Sequence, residues 1–498
     1  MKSTQVRDIM VTIIFIVSVW AASQIVLNDQ VKWLVMGIIA VSLCWLIISV
    51  DDSSLLLIIL VVLALGSCFH RMIAAQSFYL RFYILLLVGL KSLQMRPLVG
   101  SRAIALSGAI DEKSPSNPLD VGSHSKVIDQ KFVEPNQTAV ISRFSSWSLY
   151  HIFFVYLCIY GLVSSIYSVD PILSFQRALS FVLLFVVVGV YFWNRINSLE
   201  DIENILQTFW KMLVLVFVSS LIFLLWMPSQ MKYAGRFRFV LGNPNQLGHY
   251  CAVMFPIAVW VLFENRKKKW LSTLVLIGLP ILILASGSRA AIIASILSVG
   301  ALAFFCYKKN AIYIVLTGVF VLALSILLNT DVNRPDADPT YFREQVIRER
   351  TLDTGSGRLG VWKSSWYLIK QKPMLGYGFG VTDRLFQLKF FPDLPLDFQG
   401  GHTHNGYLEE LINLGFVGAM GFFILIIFFH FLGLKFLFHV VAKSEFAQPM
   451  HVAIYCSVVA GTISGVFESW FSSVGSFFCF PFWLLGVLLV KLDRMRQI

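Results

Sequence analysis

Long apolar runs separated by short polar turns dominate the chain and define its predicted elements. A helix that crosses a membrane needs about 20 mostly apolar residues. Applied to this chain, that length predicts fourteen spans, so we expect an all-α, polytopic integral membrane protein with about 12–14 transmembrane helices. The predicted spans cover approximately residues 9–27, 33–50, 54–70, 76–91, 146–167, 173–193, 209–228, 245–263, 270–287, 289–307, 311–329, 412–438, 450–467 and 470–490.

Two long polar segments interrupt this pattern, and they differ in kind. The first, residues 97–145, is rich in Ser, Asp, Lys and Pro without clear periodicity, which predicts a mobile loop. The second, residues 330–411, contains aromatic residues and two stretches of helical character, Tyr341 to Leu352 and Arg358 to Lys372. A glycine-rich turn, Gly376 to Gly380, follows, so we expect one ordered, helical extracytoplasmic cap.

These segments divide the chain into five regions. They are N-terminal transmembrane helices (1–96), a cytoplasmic loop (97–145), central transmembrane helices (146–329), the cap loop (330–411) and C-terminal transmembrane helices (412–498).

Composition supports the membrane assignment and narrows the partners. The chain is 57% hydrophobic and only 14% charged, and its mean hydropathy is +0.74. Soluble proteins carry about 25% charged residues, so the bilayer itself is a predicted partner. No basic soluble domain is present, and we therefore expect no nucleic-acid partner. The 7 cysteines lie in apolar runs without a CxxC pair, which predicts small buried side chains rather than metal ligands.

The basic residues predict the orientation in the membrane. The net charge is +12, and the densest cluster, Arg266 to Lys269, lies in a short loop that the positive-inside rule places in the cytoplasm. Alternation of the spans then puts Lys308-Lys309, the turn with Lys443 and the tail from Lys491 on the same side. Both termini are predicted to be cytoplasmic, and the cap is predicted to lie outside.

The same orientation brings three polar groups to the outer face. They are Arg236 and Arg238, followed by an Asn-rich turn; Arg289 at a helix junction; and the segment from His402 to Asn405. Arginine forks match phosphate oxygens, and a histidine can take a proton from a hydroxyl. Together they suit attack by a sugar hydroxyl on a lipid-diphosphate glycan without a metal ion or other cofactor.

Each of these residues also has a simpler interpretation. A single interfacial arginine is usually a head-group anchor, and His249 and His430, inside predicted spans, are expected to make polar contacts between helices. His402 and His404 lack a third ligand for a metal, and the Gly376 segment follows no strand of a nucleotide-binding unit. From composition and topology alone, a transporter is favoured over an enzyme.

A family resemblance changes that balance. His404-Asn405, then nine residues, then Gly415-Phe-Val-Gly418 is similar to the motif of the O-antigen ligase and polymerase superfamily of bacterial envelope glycan assembly. The resemblance extends over about residues 230–425 and also includes the Arg236 segment, Ser288-Arg289-Ala290, Gly357-Arg358 and the Pro373 to Gly378 stretch. The helix number is above the usual ~12 of the family, and the inner loop is unusually long.

The resemblance implies the roles of the candidate residues. His404 would be the catalytic base, and Arg289 would bind the diphosphate together with either Arg236 or Arg238. Arg358 would contribute to acceptor or donor binding, and Asn405 would orient the histidine or bind substrate. The implied donor is an undecaprenyl-diphosphate-linked glycan, and the acceptor is lipid A-core or a second lipid-linked glycan. The implied enzyme is inverting and metal-independent, and its site faces the periplasm across the bacterial inner membrane.

The subfamily stays open at this level, because ligases, polymerases and protein-directed oligosaccharyltransferases share the same core motif. A single dominant outer segment favours an O-antigen ligase over an O-antigen or exopolysaccharide polymerase, whose members often carry two such segments. The alternative from another class is a flippase for polyprenyl-linked oligosaccharides. Few charges lie within the spans and no repeat relates the halves, which favours chemistry at one face over a path through the bilayer.

Overall fold

The structure is a computed structural model that describes residues 47, 49–67, 71–93, 148–226, 232–233, 236–238, 241–264, 269–306, 358–387, 402–442 and 448–496. The predicted spans at 9–27 and 311–329, most of the span at 33–50, the loop 97–145 and the Tyr341 to Leu352 stretch of the cap lie outside the described residues.

The described residues are almost entirely helical, which confirms the predicted all-α class. Their one pair of strands is a two-residue antiparallel hairpin, β1 (Lys232–Tyr233) with β2 (Arg236–Phe237). The helices are α1 (Asp52–Gly66), α2 (Arg71–Leu93), α3 (Leu149–Ser164), α4 (Pro171–Phe185), α5 (Leu199–Trp226), α6 (Pro244–Glu264), α7 (Lys269–Ser286), α8 (Arg289–Cys306), α9 (Arg358–Gln371), α10 (Thr382–Gln387), α11 (Gly406–Ala442), α12 (Pro449–Gly465) and α13 (Cys479–Met495).

Six helical segments within the described residues are long and apolar enough to cross a membrane, which confirms a polytopic membrane protein. One of them is α4 extended through a π-helical stretch, Val186–Phe192, to Arg195. The others are Leu149–Tyr167, α5, α6, α8 and the greater part of α11. Shorter apolar helices, including α12, pack beside them.

Two predicted boundaries differ from the structure. The span predicted at 470–490 is wrong in its first half, because residues 470–478 form turns and α13 begins at Cys479. Serines and Gly475 occur in this stretch, and its aromatic residues are buried inside the protein instead of facing lipid. The span predicted at 412–438 begins earlier, at Gly406, and contains a non-helical residue, Gly415.

The core between the helices is packed with aromatic rings around Trp483 of α13. Its ring centroid lies 4.8 Å from that of Phe154 on α3 and 6.2 Å from that of Phe429 on α11. The indole N–H of Trp483 donates to the carbonyl of Phe471 at 2.9 Å. This bond ties the turns before α13 to the centre of the bundle, and aromatic packing of this kind fixes the relative positions of the helices.

Basic side chains gather at one end of the bundle. Lys491 and Arg494 lie over the ring of Trp193, at 4.4 Å and 5.0 Å from its centroid. Lys435, far along α11 from its first residue, pairs with Asp493 at 2.9 Å. The ends of α4, α11 and α13 therefore meet in a basic cluster, whereas α11 begins at the opposite end of the bundle.

The described part of the cap is fastened to the bundle by ion pairs. Arg177, which the sequence places near one end of a span, binds the carboxylate of Asp383 on α10 through both terminal nitrogens, at 2.6 Å and 2.9 Å. Arg384 lies 3.4 Å from Asp170 at the start of α4. These contacts hold the segment after α9 against the helix ends.

Candidate active site

Glu468 lies at the centre of the site, in the turns between α12 and α13. The neighbouring Phe471 is held by its carbonyl, which accepts from Trp483, and its ring packs against Gly406 and Gly465. A Cβ on either glycine would lie within 2.5 Å of that ring, so only glycine allows this approach. The packing therefore holds the turn that contains Glu468 against the start of α11, where the backbone carbonyl of Glu468 approaches Gly406.

Three side chains converge on that carboxylate. Asn245 Nδ2 donates to Glu468 Oε1 at 2.6 Å, and Arg358 Nη2 lies 3.6 Å from the same oxygen. His404 Nδ1 lies 3.5 Å from Oε2. The Glu468 side chain is only 19% exposed, so these groups replace much of its hydration.

The surroundings keep Glu468 ionised. Burial raises the pKa of its carboxyl, but the close approach and charge of His404 lower it, and the charges of His249 and Arg358 add to that effect. The net result is a pKa of about 2, below the ordinary value of 4.5. The site therefore holds a fixed negative charge at neutral pH, directly beside His404.

Arg236 reaches this centre through Asn245. Its Nε donates to the carbonyl of Ser286 at 2.7 Å, and its Nη2 donates to Asn245 Oδ1 at 2.5 Å. Gly287 has a φ of 60°, and a Cβ there would lie 3.0 Å from Arg236 Nε. The turn between α7 and α8 is thus shaped around the guanidinium.

The neighbouring Arg238 is directed elsewhere. Its guanidinium lies 5.5 Å from the ring centroid of Tyr233, and its Nη1 is 3.5 Å from the carbonyl of Gly242. These contacts keep Arg238 on the hairpin. The sequence leaves the choice between Arg236 and Arg238 open, whereas the geometry connects Arg236 to Glu468.

Arg289 and Arg358 are like charges that lie close enough to act on each other. Arg358 is the first residue of α9, and its guanidinium lies 5.7 Å from the ring of Phe467. Burial lowers the pKa of Arg358, the charge of Glu468 opposes that shift, and the charge of Arg289 reinforces it. Arg289, the first residue of α8, is itself exposed. A bound anion between the two guanidinium groups would relieve this repulsion.

The site also lies where four helices begin. The helices α8 and α9 begin with the candidate residues Arg289 and Arg358 themselves. The helices α6 and α11 begin with Pro244 and Gly406, which are next in sequence to Asn245 and Asn405. A helix N-terminus presents amide N–H groups without helical partners and a partial positive charge. Because Asn405 and Asn243 accept from N–H groups at two of these termini, it is the partial positive charges of the helices that add to the arginines in attracting a multiply charged anion.

Asn405 has a structural task at one of these termini. Its Oδ1 accepts from the backbone N–H groups of Tyr407 at 3.0 Å and Leu408 at 3.1 Å, which caps α11. Asn243 makes a similar contact with the N–H of Asn245, at 2.8 Å, at the start of α6. The amide oxygen of Asn405 is therefore engaged in holding the helix that follows His404.

The backbone of His404 is held in a strained conformation. Its φ is 49°, and it is the one non-glycine residue with a positive φ among those described. On either side, Thr403 Oγ1 lies 2.8 Å from the carbonyl of Asn405 and 2.7 Å from the hydroxyl of Ser469, which also accepts from the N–H of Asn405 at 3.1 Å. Such strain persists only where the surroundings enforce it, and it is common at functional sites.

Several contacts of the site were not anticipated from the sequence. Glu468 is the central one, and the sequence does mark it, because it is the only acidic residue between Glu445 and Asp493.

The predicted helix–helix role of the other histidines is confirmed. His249 Nδ1 lies 2.9 Å from Ser464 Oγ, and His430 Nδ1 lies 3.3 Å from the hydroxyl of Tyr455.

The two histidines of the His402 segment separate in the structure. His402 is exposed and acts electrostatically on Asp383, whereas His404 faces Glu468. Within the described ranges, no group of three or more His, Cys, Asp or Glu side chains is arranged to hold a metal ion. Independence from metals stays a prediction.

Comparison with protein families agrees with the sequence resemblance. Residues 273–423 match a family model described as O-antigen ligase, which confirms the superfamily resemblance. The match includes Arg289, Arg358 and His404, whereas Arg236 and Glu468 lie outside it. No curated protein matches the chain.

Proposed function

We propose that this chain is a membrane glycosyltransferase of the O-antigen ligase superfamily and that it moves a glycan from an undecaprenyl-diphosphate donor to an acceptor hydroxyl. We further propose that the reaction takes place at the periplasmic face of the inner membrane and is of the ligase type. The contact between His404 and the ionised Glu468, 3.5 Å apart and surrounded by arginines, is the observation that supports this proposal best.

The arginines supply the binding of the donor. Arg236, Arg289 and Arg358 carry three positive charges against the negative charges of Glu468 and of Glu409, which accepts from Thr403 Oγ1 at 3.2 Å, and helix N-termini add to the positive side. A diphosphate carries the charge that this surplus would neutralise. Because each guanidinium is planar and permanently charged, it can bind the diphosphate through paired hydrogen bonds.

His404 is the proposed base. With Nδ1 directed at Glu468, its Nε2 is available to an acceptor hydroxyl. As the hydroxyl oxygen forms its bond to the anomeric carbon, its proton passes to Nε2, and the bond between that carbon and the diphosphate oxygen breaks. Glu468 would stabilise the imidazolium that forms, as a carboxylate partner does for other catalytic histidines.

The leaving group is undecaprenyl diphosphate, whose charge grows as the bond breaks. Arginines placed in advance around that charge would stabilise the transition state more than the ground state. Attack from the side opposite the diphosphate inverts the configuration of the anomeric carbon. Three guanidinium groups can take the role that a divalent cation has in many glycosyltransferases, and we therefore expect the reaction to continue in a chelator.

The basic end of the bundle supports the orientation. Lys435, Lys491 and Arg494 lie at the end of α11 away from His404, and the positive-inside rule places such clusters in the cytoplasm. With that end inside, the site with His404 faces the periplasm, where finished lipid-linked glycans are used.

A reconstituted assay tests the proposal. Purified protein in liposomes is given an undecaprenyl-diphosphate-linked glycan and either lipid A-core or a second lipid-linked repeat unit. Glycan on lipid A-core supports a ligase, and a ladder of longer lipid-linked chains identifies a polymerase with the same chemistry. If neither product forms and the lipid-linked glycan instead crosses the bilayer, the chain is a flippase and the proposal is wrong.

A further inference from the structure

The cap helix α9 begins at the site and presents an unusual outer face. Leu359, Lys363, Trp366 and Lys370 follow one another at spacings of four, three and four residues, which places them on one stripe of the helix. Leu359 and Trp366 are 48% and 46% exposed, and both lysines are exposed as well. The stripe is about 16 Å long and starts next to Arg358, which binds Glu468.

The opposite face of α9 is already occupied. Val361, Ser364, Ser365, Leu368 and Ile369 are buried, and the helix packs against α11. The two serines bond back to carbonyls of their own helix, at 3.1 Å and 2.8 Å, so they need no outside partner. The apolar side of α9 therefore supports the fold, and the exposed stripe is what remains for a ligand.

The charge of this stripe indicates an anionic ligand. Between Arg358 and Thr382 the chain contains no Asp or Glu, whereas it contains Lys363, Lys370 and Lys372 in addition to the arginine. A surface with one sign of charge raises the local concentration of ligands with the opposite sign. Lysines can bind phosphate or carboxylate groups, and the exposed indole of Trp366 offers a flat apolar surface between them.

A further group points in the same direction. The indole N–H of Trp362, one turn after Arg358, is buried and meets no acceptor within the part of the chain that the structure describes. Trp362 lies four residues after Arg358, on the same face of α9, and precedes Lys363 of the stripe. A buried donor without an acceptor is costly, and a ligand oxygen would satisfy it.

The mixing of residue types favours a saccharide over a membrane surface. A helix that lies on a bilayer separates its apolar residues from its basic ones, on opposite faces. In α9 the exposed apolar and basic residues alternate on a single stripe, and the apolar face is buried in the protein. An alternating stripe suits a polar chain with flat apolar patches and charged substituents, which describes an anionic oligosaccharide.

We propose that the stripe of Leu359, Lys363, Trp366 and Lys370 binds the anionic saccharide portion of the acceptor and leads it toward Arg358 and His404. This inference rests on the proposed transfer reaction for the identity of the ligand. The stripe would act before the chemical step, by orienting the acceptor along α9 so that its hydroxyl arrives at His404.

Binding is measured without turnover. The full-length protein is placed in nanodiscs of uncharged phosphatidylcholine, with no donor present, and titrated with phosphorylated maltotetraose and with unmodified maltotetraose. We expect the double variant Lys363→Gln/Lys370→Gln to bind the phosphorylated probe about tenfold more weakly and the neutral probe nearly unchanged, since each exposed charge contributes roughly threefold. Trp366→Ala should weaken both probes by about fivefold, because stacking does not depend on charge.

Lys372→Gln is the matched control. It removes the same charge close to the same helix end, but the ammonium of Lys372 lies over the ring of Tyr377, at 4.9 Å, away from the stripe. We expect this variant to keep the wild-type affinity. Equal affinities of the double variant and the control for the phosphorylated probe would overturn the proposal.

Two more arms separate the stripe from its alternatives. If phosphorylated maltotetraose does not bind, while vesicles with phosphatidylglycerol bind through Lys363 and Lys370, the stripe is a membrane contact and the proposal is wrong. His404→Ala should retain saccharide binding while losing transfer. Failure of the transfer assay with binding intact would count against the proposed function alone.

Discussion

Gly376 and Gly415 lie backbone to backbone, where the cap meets the transmembrane helix α11. A Cβ on Gly376 would lie 2.5 Å from the backbone nitrogen of Gly415, and one on Gly415 would lie 2.4 Å from the carbonyl of Met374. Gly415 also has a φ of 62°, which breaks the helix at this residue. The two backbone segments can approach this closely only because neither glycine has a side chain.

The cap turn satisfies the backbone groups that the break releases. Tyr377 and Gly378 donate to the carbonyls of Ile412 and Asn413, at 3.0 Å and 2.9 Å. Phe416 donates in return to the carbonyl of Pro373, at 2.7 Å. The break therefore couples the cap to the first turns of α11 and hence to His404, which precedes that helix.

We expect Gly415→Ala and Gly376→Ala to destabilise the protein by at least about 3 kcal/mol, since each adds a backbone clash to an unfavourable φ. Thermal unfolding of the purified protein in detergent measures the loss. Gly360→Ala is the matched control, because a Cβ there meets nothing within 4 Å and alanine favours the helix. A melting temperature for Gly415→Ala equal to that of Gly360→Ala would contradict the interpretation of this contact.

The transmembrane helices show which boundaries the sequence can predict and which it cannot. The apolar runs predict α6, α7 and α8 to within a few residues, because charged or turn residues bound each run. The same rule fails before Cys479, where Phe471 and Phe477 are as apolar as lipid-facing residues but are buried in turns. Hydropathy reports burial from water, and it does not distinguish burial in lipid from burial in protein.

The candidate site divides in the same way. His404, Arg289 and Arg358 stand in recognisable motifs, so the sequence predicts them. Glu468 is far from His404 in the sequence and joins the site only through tertiary packing. The choice between Arg236 and Arg238 likewise depends on the direction of each side chain from the hairpin, which no spacing in the sequence specifies.

That choice leads to a prediction about the donor. Arg236→Ala should reduce transfer by about 100-fold, because it removes a guanidinium at the diphosphate and the contact with Asn245. Arg238→Ala, its matched control on the same hairpin, should reduce transfer by no more than about threefold. Initial rates against donor concentration measure both variants. A larger loss for Arg238→Ala would assign the diphosphate contact to that residue instead.

Arg289 offers a test of fork geometry. Arg289→Lys keeps the charge at the start of α8 but replaces the planar fork with a single ammonium. We expect Arg289→Lys to retain about a tenth of the wild-type transfer rate and Arg289→Ala to retain much less. Rates at saturating acceptor report the effect. Equal rates for the lysine and alanine variants would show that charge at this position contributes little.

His404→Ala should abolish transfer, lowering the rate by at least about 1000-fold, because it removes the proposed base. The neighbouring His402 is exposed and acts electrostatically on Asp383, so His402→Ala should retain nearly the full rate. Both variants are assayed in the same liposomes, after size-exclusion chromatography shows that they are folded. Substantial transfer by His404→Ala would remove the histidine from the mechanism.

Glu468→Gln separates charge from shape at the centre of the site. The amide oxygen of glutamine can still accept from Asn245, so the geometry is retained while the negative charge beside His404 is lost. We expect transfer to fall by about 10- to 100-fold. Glu468→Asp, which keeps the charge on a shorter chain, should recover part of the rate. Rescue by aspartate but not by glutamine would identify the charge as the essential property.

The pH dependence of stability checks the same charge independently. The pKa of Glu468 is about 2 in the folded protein and 4.5 ordinarily, so its ionised form stabilises the fold fully above pH 4.5. That stabilisation is lost progressively as the pH falls from 4.5 toward 2. The melting temperature of wild type should therefore exceed that of Glu468→Gln by a constant margin from about pH 7 to pH 5, and the margin should shrink below that range. A margin that already closes between pH 7 and pH 5 would mean that Glu468 is not held ionised by His404 and Arg358, and that His404 lacks the carboxylate partner on which the proposed proton transfer depends.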